Sequence, residues 1–212
     1  MKLRFFLAAT ALMISAPALA QEGFTPLFNG KTTDGWQLVN SKPGNWVVKD
    51  GLLLTKGEGG GWISTAKEYA DYTLSLEYKT TKGGNSGVFI RSPHTGDPAY
   101  VGMEIQLLDD DDDQYKNLKP FQYTGSVYGV IAAKRGSTKS HGEWNAMQIT
   151  VRGPKVVIKL NGNTIVDGRL DEHADAEKAH PGILRKTGYI GLQSHSDEVA
   201  FRNIQIKELK PE

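Results

Sequence analysis

The chain has 212 residues, no cysteine, and 25 Lys plus Arg against 24 Asp plus Glu. So even a balance leaves no electrostatic footprint for nucleic acid or an anionic membrane surface, and neither is expected as a partner. The absence of cysteine excludes disulfides and the lipid-bearing cysteine of a bacterial lipoprotein.

The first twenty residues read as a secretory signal peptide. Lys2 and Arg4 give a positive start, Phe5 to Ile14 form a short apolar run, and Ala18-Leu19-Ala20 supplies small residues before Gln21. The apolar run is too short to cross a bilayer as a helix. A periplasmic or secreted protein is therefore expected. Removing 20 of the 212 residues leaves 192, within the range of a single domain (residues 21–212), and brings the basic count to 23.

From there the chain reads as short strands separated by glycine-rich turns. Tyr72, Leu74, Leu76 and Tyr78 alternate with Thr73, Ser75, Glu77 and Lys79, the period of a half-buried strand. In Val88 to Arg91 the same parity sends Val88 and Ile90 to the core, and Phe89 and Arg91 away from it. In Gly102 to Leu108 it sends Met103, Ile105 and Leu107 inward, and Glu104 and Gln106 outward. Met147, Ile149 and Val151 repeat the pattern, as do Val156, Ile158 and Leu160, which run into the hairpin signal Asn161-Gly162-Asn163. Asp171 to Ala179 is polar on every side and fits a surface turn of helix. In Tyr189 to His195, Ile190 and Leu192 face in while Gln193 and His195 face out. Val199 and Phe201 then give way to Ile204 and Ile206, a phase slip that predicts a bulge near Asn203. Gly57 to Gly61, Asp109 to Lys119 and Ala132 to Gly142 are loops. About twelve strands at this spacing predict an all-β fold, a two-layer antiparallel sandwich or jelly roll.

If the strands of Arg91, Glu104 and His195 are neighbours, then Arg91, Glu104, Gln106, Gln193 and His195 form one polar patch. The alternative is an ordinary wet sheet face. Its composition brings the ligand reading level with that alternative, since Arg, Glu, Gln and His orient polar substrates. The four tryptophans, Trp36, Trp46, Trp62 and Trp144, read chiefly as core; for Trp62, after Gly59-Gly60-Gly61, the alternative is a site rim, where its face would stack on a sugar ring as a substrate-binding residue. Asp109 to Asp113 could offer oxygens to Ca²⁺ but lacks the spacing of a calcium loop, and His94, His141, His173 and His180 show no metal-ligand spacing.

Several segments, in order, resemble the 3-keto-disaccharide hydrolase family. They are Pro26-Leu27-Phe28-Asn29-Gly30-Lys31 with Asp34-Gly35-Trp36; Trp46 with Asp50-Gly51; Gly84 through Arg91; and Glu104 through Asp109. Then come Gly142-Glu143-Trp144-Asn145, Asn161-Gly162, Gly191-Leu192-Gln193 and Phe201-Arg202-Asn203-Ile204. The resemblance implies a concanavalin-like jelly roll that cleaves oxidised glycosides, a small carbohydrate as substrate, and functional coupling to a sugar 3-oxidoreductase. One departure falls at the last histidine. The family motif Leu-Gln-Asp-His-Gly is here Leu192-Gln193-Ser194-His195-Ser196, so a role for that aspartate does not carry over. By parity Ser194 points away from His195.

The implied chemistry needs a base for the proton α to the C3 ketone, a cation or metal at the developing enolate, and an acid for the leaving group. Glu104 and His195 are the expected base and acid, in either order, with Arg91 at the enolate and Gln106, Gln193 and Trp62 binding substrate. A divalent metal held by Glu104 and His195, with Asp109 nearby, is an alternative cofactor arrangement. Two competing functions stay open. Glu104, Gln106 and Asp109 mimic the acidic motif of retaining jelly-roll glucanases, whose two carboxyls must lie about 5–5.5 Å apart. That requires a bulge between Glu104 and Asp109. A carbohydrate-binding module would instead present a flat aromatic strip and no clustered ionisable groups.

Overall fold

A computed structural model describes residues 22–210, so the proposed signal peptide lies outside the described residues. Thirteen strands follow one another: β1 (Thr25–Pro26), β2 (Trp36–Val39), β3 (Trp46–Lys49), β4 (Leu52–Thr55), β5 (Trp62–Thr65), β6 (Tyr72–Thr80), β7 (Asn85–Ser92), β8 (Met103–Leu108), β9 (Asn145–Arg152), β10 (Lys155–Leu160), β11 (Asn163–Arg169), β12 (Tyr189–Gln193) and β13 (Val199–Glu208). The helix α1 (Pro98–Val101) is a single turn. The expected helical turn after residue 170 is two short 3₁₀ turns, Leu170–Glu172 and Ala174–Ala176.

The strands form two antiparallel sheets. One has eight strands in the order β11-β10-β9-β6-β13-β4-β3, with β1 on β13. The other has five, in the order β2-β5-β12-β7-β8. Their facing sides make the core. The larger sheet contributes Leu74, Leu76, Ile149 and Phe201, and the smaller Val88, Ile90, Ile105 and Leu192. Every residue that parity sent inward in β6, β7, β8 and β12 lies there. The two-layer all-β architecture is thus the expected one.

Two local features follow directly from sequence. Asn161 and Gly162 both adopt positive φ, at 51° and 88°, which lets β10 turn tightly into β11. In β13 the pairing jumps between Arg202 and Gln205, with Asn203 at φ 53°. This is the bulge behind the phase slip. Trp144 does not join the core. It is half-buried on the outside of the larger sheet, 4.0 Å from the Arg202 guanidinium and 5.1 Å from Lys79 Nζ.

Candidate active site

The outer face of the five-stranded sheet carries the site. Across β5, β12, β7 and β8, the residues Ser64, Gly191, Phe89 and Glu104 pair in one row. In the adjoining row Trp62 pairs with Gln193, and Gly87 with Gln106. Both rows show why glycine is needed. A Cβ on Gly191 would run into the Trp62 ring, and one on Gly87 would run into the Glu104 carboxyl. The two missing side chains thus create the space into which Trp62 and Glu104 lean. Glycine inside a strand marks such close approaches, but neither position carried a site prediction.

A cleft of about 420 Å³ opens above this hollow. Trp62, Phe89 and Gln193 of the sheet line it, together with Gly61, His195 and Asp97 from the loops. Its size falls within the usual range for small-molecule sites. Asp97 caps α1, its Oδ1 accepting from Ala99 N at 3.1 Å, and Pro98 fixes the first helical position. The Asp97-Pro98 pair is a helix-start signal in the sequence, but it carried no site expectation. A four-residue helix has no periodicity that could reveal it otherwise.

Glu104 is the strand partner of Phe89 in the cleft floor, lies just behind the cleft lining, and is only 4% exposed. Its carboxyl is pushed up from 4.5 to about 8, chiefly by burial and secondly by the like charge of Asp97, while a hydrogen bond with Gln193 opposes both. Near neutral pH Glu104 therefore holds its proton. Glu104 Oε1 and Gln193 Oε1 are buried acceptors with no hydrogen-bond partner among the described residues, which suits them to meet donors on a ligand. Gln106, next along the same face, turns its Oε1 back to Leu107 N at 2.9 Å, leaving its amide N–H groups for other partners.

Trp62 is a correction. It is 2% exposed, edge-on to Phe89 with ring centroids 5.4 Å apart and to His94 at 5.6 Å. It forms floor, not rim, because Gly191 lets the ring sink into the sheet. Phe89 is buried too, so this face shows no flat exposed aromatic strip of the kind a binding module would use.

Arg91 is the larger correction. Parity fails there because β7 carries a bulge. Gly191 pairs with Phe89 but Tyr189 pairs with Ser92, and Arg91 takes φ 49°. The side chain is carried to the end of the sandwich, away from Glu104, and is 2% exposed. Its five N–H groups are all engaged. Nε and Nη2 donate to Ala70 O at 3.2 and 3.0 Å, Nη1 to Gly153 O at 2.8 Å and Arg185 O at 3.1 Å, and Nη2 also to Asp71 Oδ1 at 3.0 Å. A guanidinium so occupied is a structural clamp and has no donor left for an enolate.

Asp109 is elsewhere as well. Its Oδ2 accepts from Gly83 N at 2.9 Å and lies 3.0 Å from His141 Nδ1. The pairing of β7 with β8 runs without a break from Asn85–Leu108 to Ile90–Met103, so the bulge that would bring Asp109 beside Glu104 is absent. Five residues of strand separate the two by about 16 Å. The spacing of a retaining glucanase pair is not met. Nor do Glu104, His195 and Asp109 gather as metal ligands, and no group of three or more His, Cys, Asp or Glu suited to a metal ion occurs among the described residues.

His195 is exposed on the loop after β12, on the cleft side, as parity indicated. Ser194 points the other way. Its hydroxyl accepts from Asn45 Nδ2 at 2.8 Å and Thr55 Oγ1 at 2.6 Å, locking the His195 loop to the neighbouring loop and to β4. The serine at this position thus serves the junction and not the cleft.

Residues 23–207 match a family model described as a 3-keto-alpha-glucoside-1,2-lyase-like domain. A protein of Bacteroides thetaiotaomicron named 3-keto-disaccharide hydrolase is 28% identical over 229 residues, spanning 89% of this chain and 79% of that protein. A crystal structure from Parabacteroides distasonis, of a protein proposed to be a glycosyl hydrolase, superposes with a TM-score of 0.77 at 31% identity, covering 88% of this chain and 99% of that one. A Bacillus subtilis protein of unknown function with a galectin-like fold has a TM-score of 0.59 at 12% identity, covering 91% and 98%. That last likeness concerns the fold alone, and it agrees with the expected jelly roll.

Proposed function

The chain belongs to the 3-keto-alpha-glucoside-1,2-lyase-like family, and on that premise we propose that it is an exported carbohydrate-active enzyme that cleaves 3-keto-glycosides by elimination followed by hydration. The observation that carries the reading is Glu104, a buried carboxyl held near 8 that pairs with Phe89 of the cleft floor.

A ketone at C3 acidifies the proton on C2, which an ordinary glycoside lacks the means to lose. A base takes that proton, and its bonding electrons pass into an enolate. The enolate then expels the substituent at C1, whose oxygen needs a proton as it leaves. Addition of water across the resulting enone completes a net hydrolysis. The two chemical tasks call for groups of opposite protonation, and burial keeps Glu104 in the protonated form. Glu104, protonated at neutral pH, is assigned as acid to the leaving oxygen. His195, exposed at the cleft wall, is assigned as base at C2. Gln193 and the amide of Gln106 orient sugar hydroxyls, and Trp62 with Phe89 gives the floor an apolar, water-excluding surface. With Arg91 spent elsewhere, the Gln193 amide is assigned to the developing enolate oxygen as well. The substrate itself has to come from an oxidation at C3, which makes a sugar 3-oxidoreductase the functional neighbour in the reaction sequence.

The deciding experiment incubates the mature protein with a 3-keto-disaccharide and with its unoxidised parent. Cleavage of the keto-sugar only is expected, with a loss of about 10²-fold or more in kcat for Glu104→Gln. Cleavage of both sugars at similar rates, or binding of the parent with no cleavage of either, would sink the proposal.

A further inference from the structure

The loop between β12 and β13 holds three consecutive side chains in a chain of hydrogen bonds. His195 Nδ1 lies 3.1 Å from Ser196 Oγ, and Ser196 Oγ donates to Asp197 Oδ2 at 3.0 Å. Proton counting fixes what each nitrogen must do. A carboxylate only accepts, so the single hydroxyl proton of Ser196 is committed to Asp197. Ser196 Oγ can then offer His195 nothing but a lone pair. Nδ1 must therefore be the N–H donor, and in the neutral imidazole Nε2 carries the lone pair. The far end of the chain is anchored as well, since the backbone N–H of Asn85 donates to the same Asp197 oxygen at 3.3 Å, at the start of β7. His195 makes no other hydrogen bond among the described residues.

We propose that Ser196 and Asp197 are positioning residues that hold His195 in its Nδ1–H tautomer and so present Nε2 as the base toward the cleft. The relay gives an otherwise mobile surface histidine a defined tautomer and a defined ring orientation. It also supplies the stabilising contact that the imidazolium needs after it takes the proton, because Nδ1–H stays bonded through Ser196 to a carboxylate. The proposal rests on the reading of His195 as the base, but its structural half can be measured without any turnover.

The test is imidazole ¹⁵N NMR on the whole mature protein at alkaline pH, with the His195 signals assigned by their loss in His195→Ala. The expected wild-type spectrum shows Nδ1 protonated and Nε2 bare. Ser196→Ala and Asp197→Asn should move the population toward the Nε2–H form that an unconstrained histidine side chain favours. They should also lower kcat for a 3-keto-disaccharide by about tenfold, less than the loss from removing the base itself, with KM little changed. Ser196→Thr keeps the hydroxyl and should restore both readouts. A wild-type His195 in the Nε2–H form, or a tautomer indifferent to Ser196→Ala, overturns the relay whatever the activity. Unchanged turnover in His195→Ala overturns the base assignment and the catalytic half of the proposal, and the tautomer result then stands or falls separately.

Discussion

Replacing Glu104 with Gln keeps the shape of the side chain and removes its titration. The wild-type carboxyl is 4% exposed, faces the like charge of Asp97, and is raised from 4.5 to about 8. For a group whose folded value lies above its unfolded value, the stabilising contribution is complete below the unfolded value. It is lost as pH rises through the folded one. The window here runs from about pH 4.5 to about pH 8. At 1.36 kcal/mol per decade, the loss across it is about 5 kcal/mol, an appreciable part of the total stability of a domain. Other titrating groups are common to both proteins and cancel in the difference. Urea titrations of wild type and Glu104→Gln at intervals across this range, with the slope m checked for constancy, give the difference directly. Wild type should lose stability relative to the variant through the window and run parallel to it above. Parallel curves from pH 4.5 upward would mean that Glu104 is ionised in the folded protein, and the acid assignment would fail with them.

Further outcomes follow from the same geometry. As a general acid, Glu104 should give kcat/KM for the keto-sugar an alkaline limb near pH 8, and Asp97→Asn, which keeps the α1 cap but removes the like charge, should move that limb to lower pH; a limb rising through pH 8 would reverse the acid and base roles. Arg91→Lys replaces five donors by three in a buried clamp and should cost about 3 kcal/mol in denaturant titration while kcat of the folded fraction stays within twofold; a selective loss of kcat would return Arg91 to the site. Gly191→Ala should cost about 1–3 kcal/mol by forcing the Trp62 ring out of its place, read as a drop in thermal midpoint together with a change in tryptophan fluorescence. Gly87→Ala, whose methyl would meet the Glu104 carboxyl, should remove activity more than it removes stability.

How far the site could be read from sequence depended on whether a strand kept its period. In β8 the pairing with β7 is unbroken, so the alternation of Met103, Ile105 and Leu107 with Glu104 and Gln106 placed every side chain on its observed face. Gln193 at the end of β12 and His195 just beyond it followed from the same rule. Arg91 did not, because a one-residue bulge in β7 cancels parity just before it, and no residue nearby announces that bulge as the Asn203 phase slip does in β13. Trp62 was assigned by its neighbours Gly59 to Gly61 in sequence, whereas its burial is decided by Gly191, a neighbour only after the sheet has formed. The role of Asp97 was missed for a third reason. It acts through space on Glu104 from a single-turn helix, and neither distance in the fold nor a charge across a cleft leaves a periodic trace.

The row of Ser64, Gly191, Phe89 and Glu104 has a consequence for how this protein can change length. Its strands hold the core with one set of residues and the cleft with the set between them. One residue inserted or deleted within β8 would send Glu104 toward the other sheet and expose Ile105, destroying both at once. Libraries of length variants should therefore recover active clones from β7, β8 and β12 only where changes come in twos. The segment from Gly57 to Gly61 has no pleat to keep, but its glycines lie against the Ser196 and Asn40 backbones and line the cleft, so length changes there should cost activity as well.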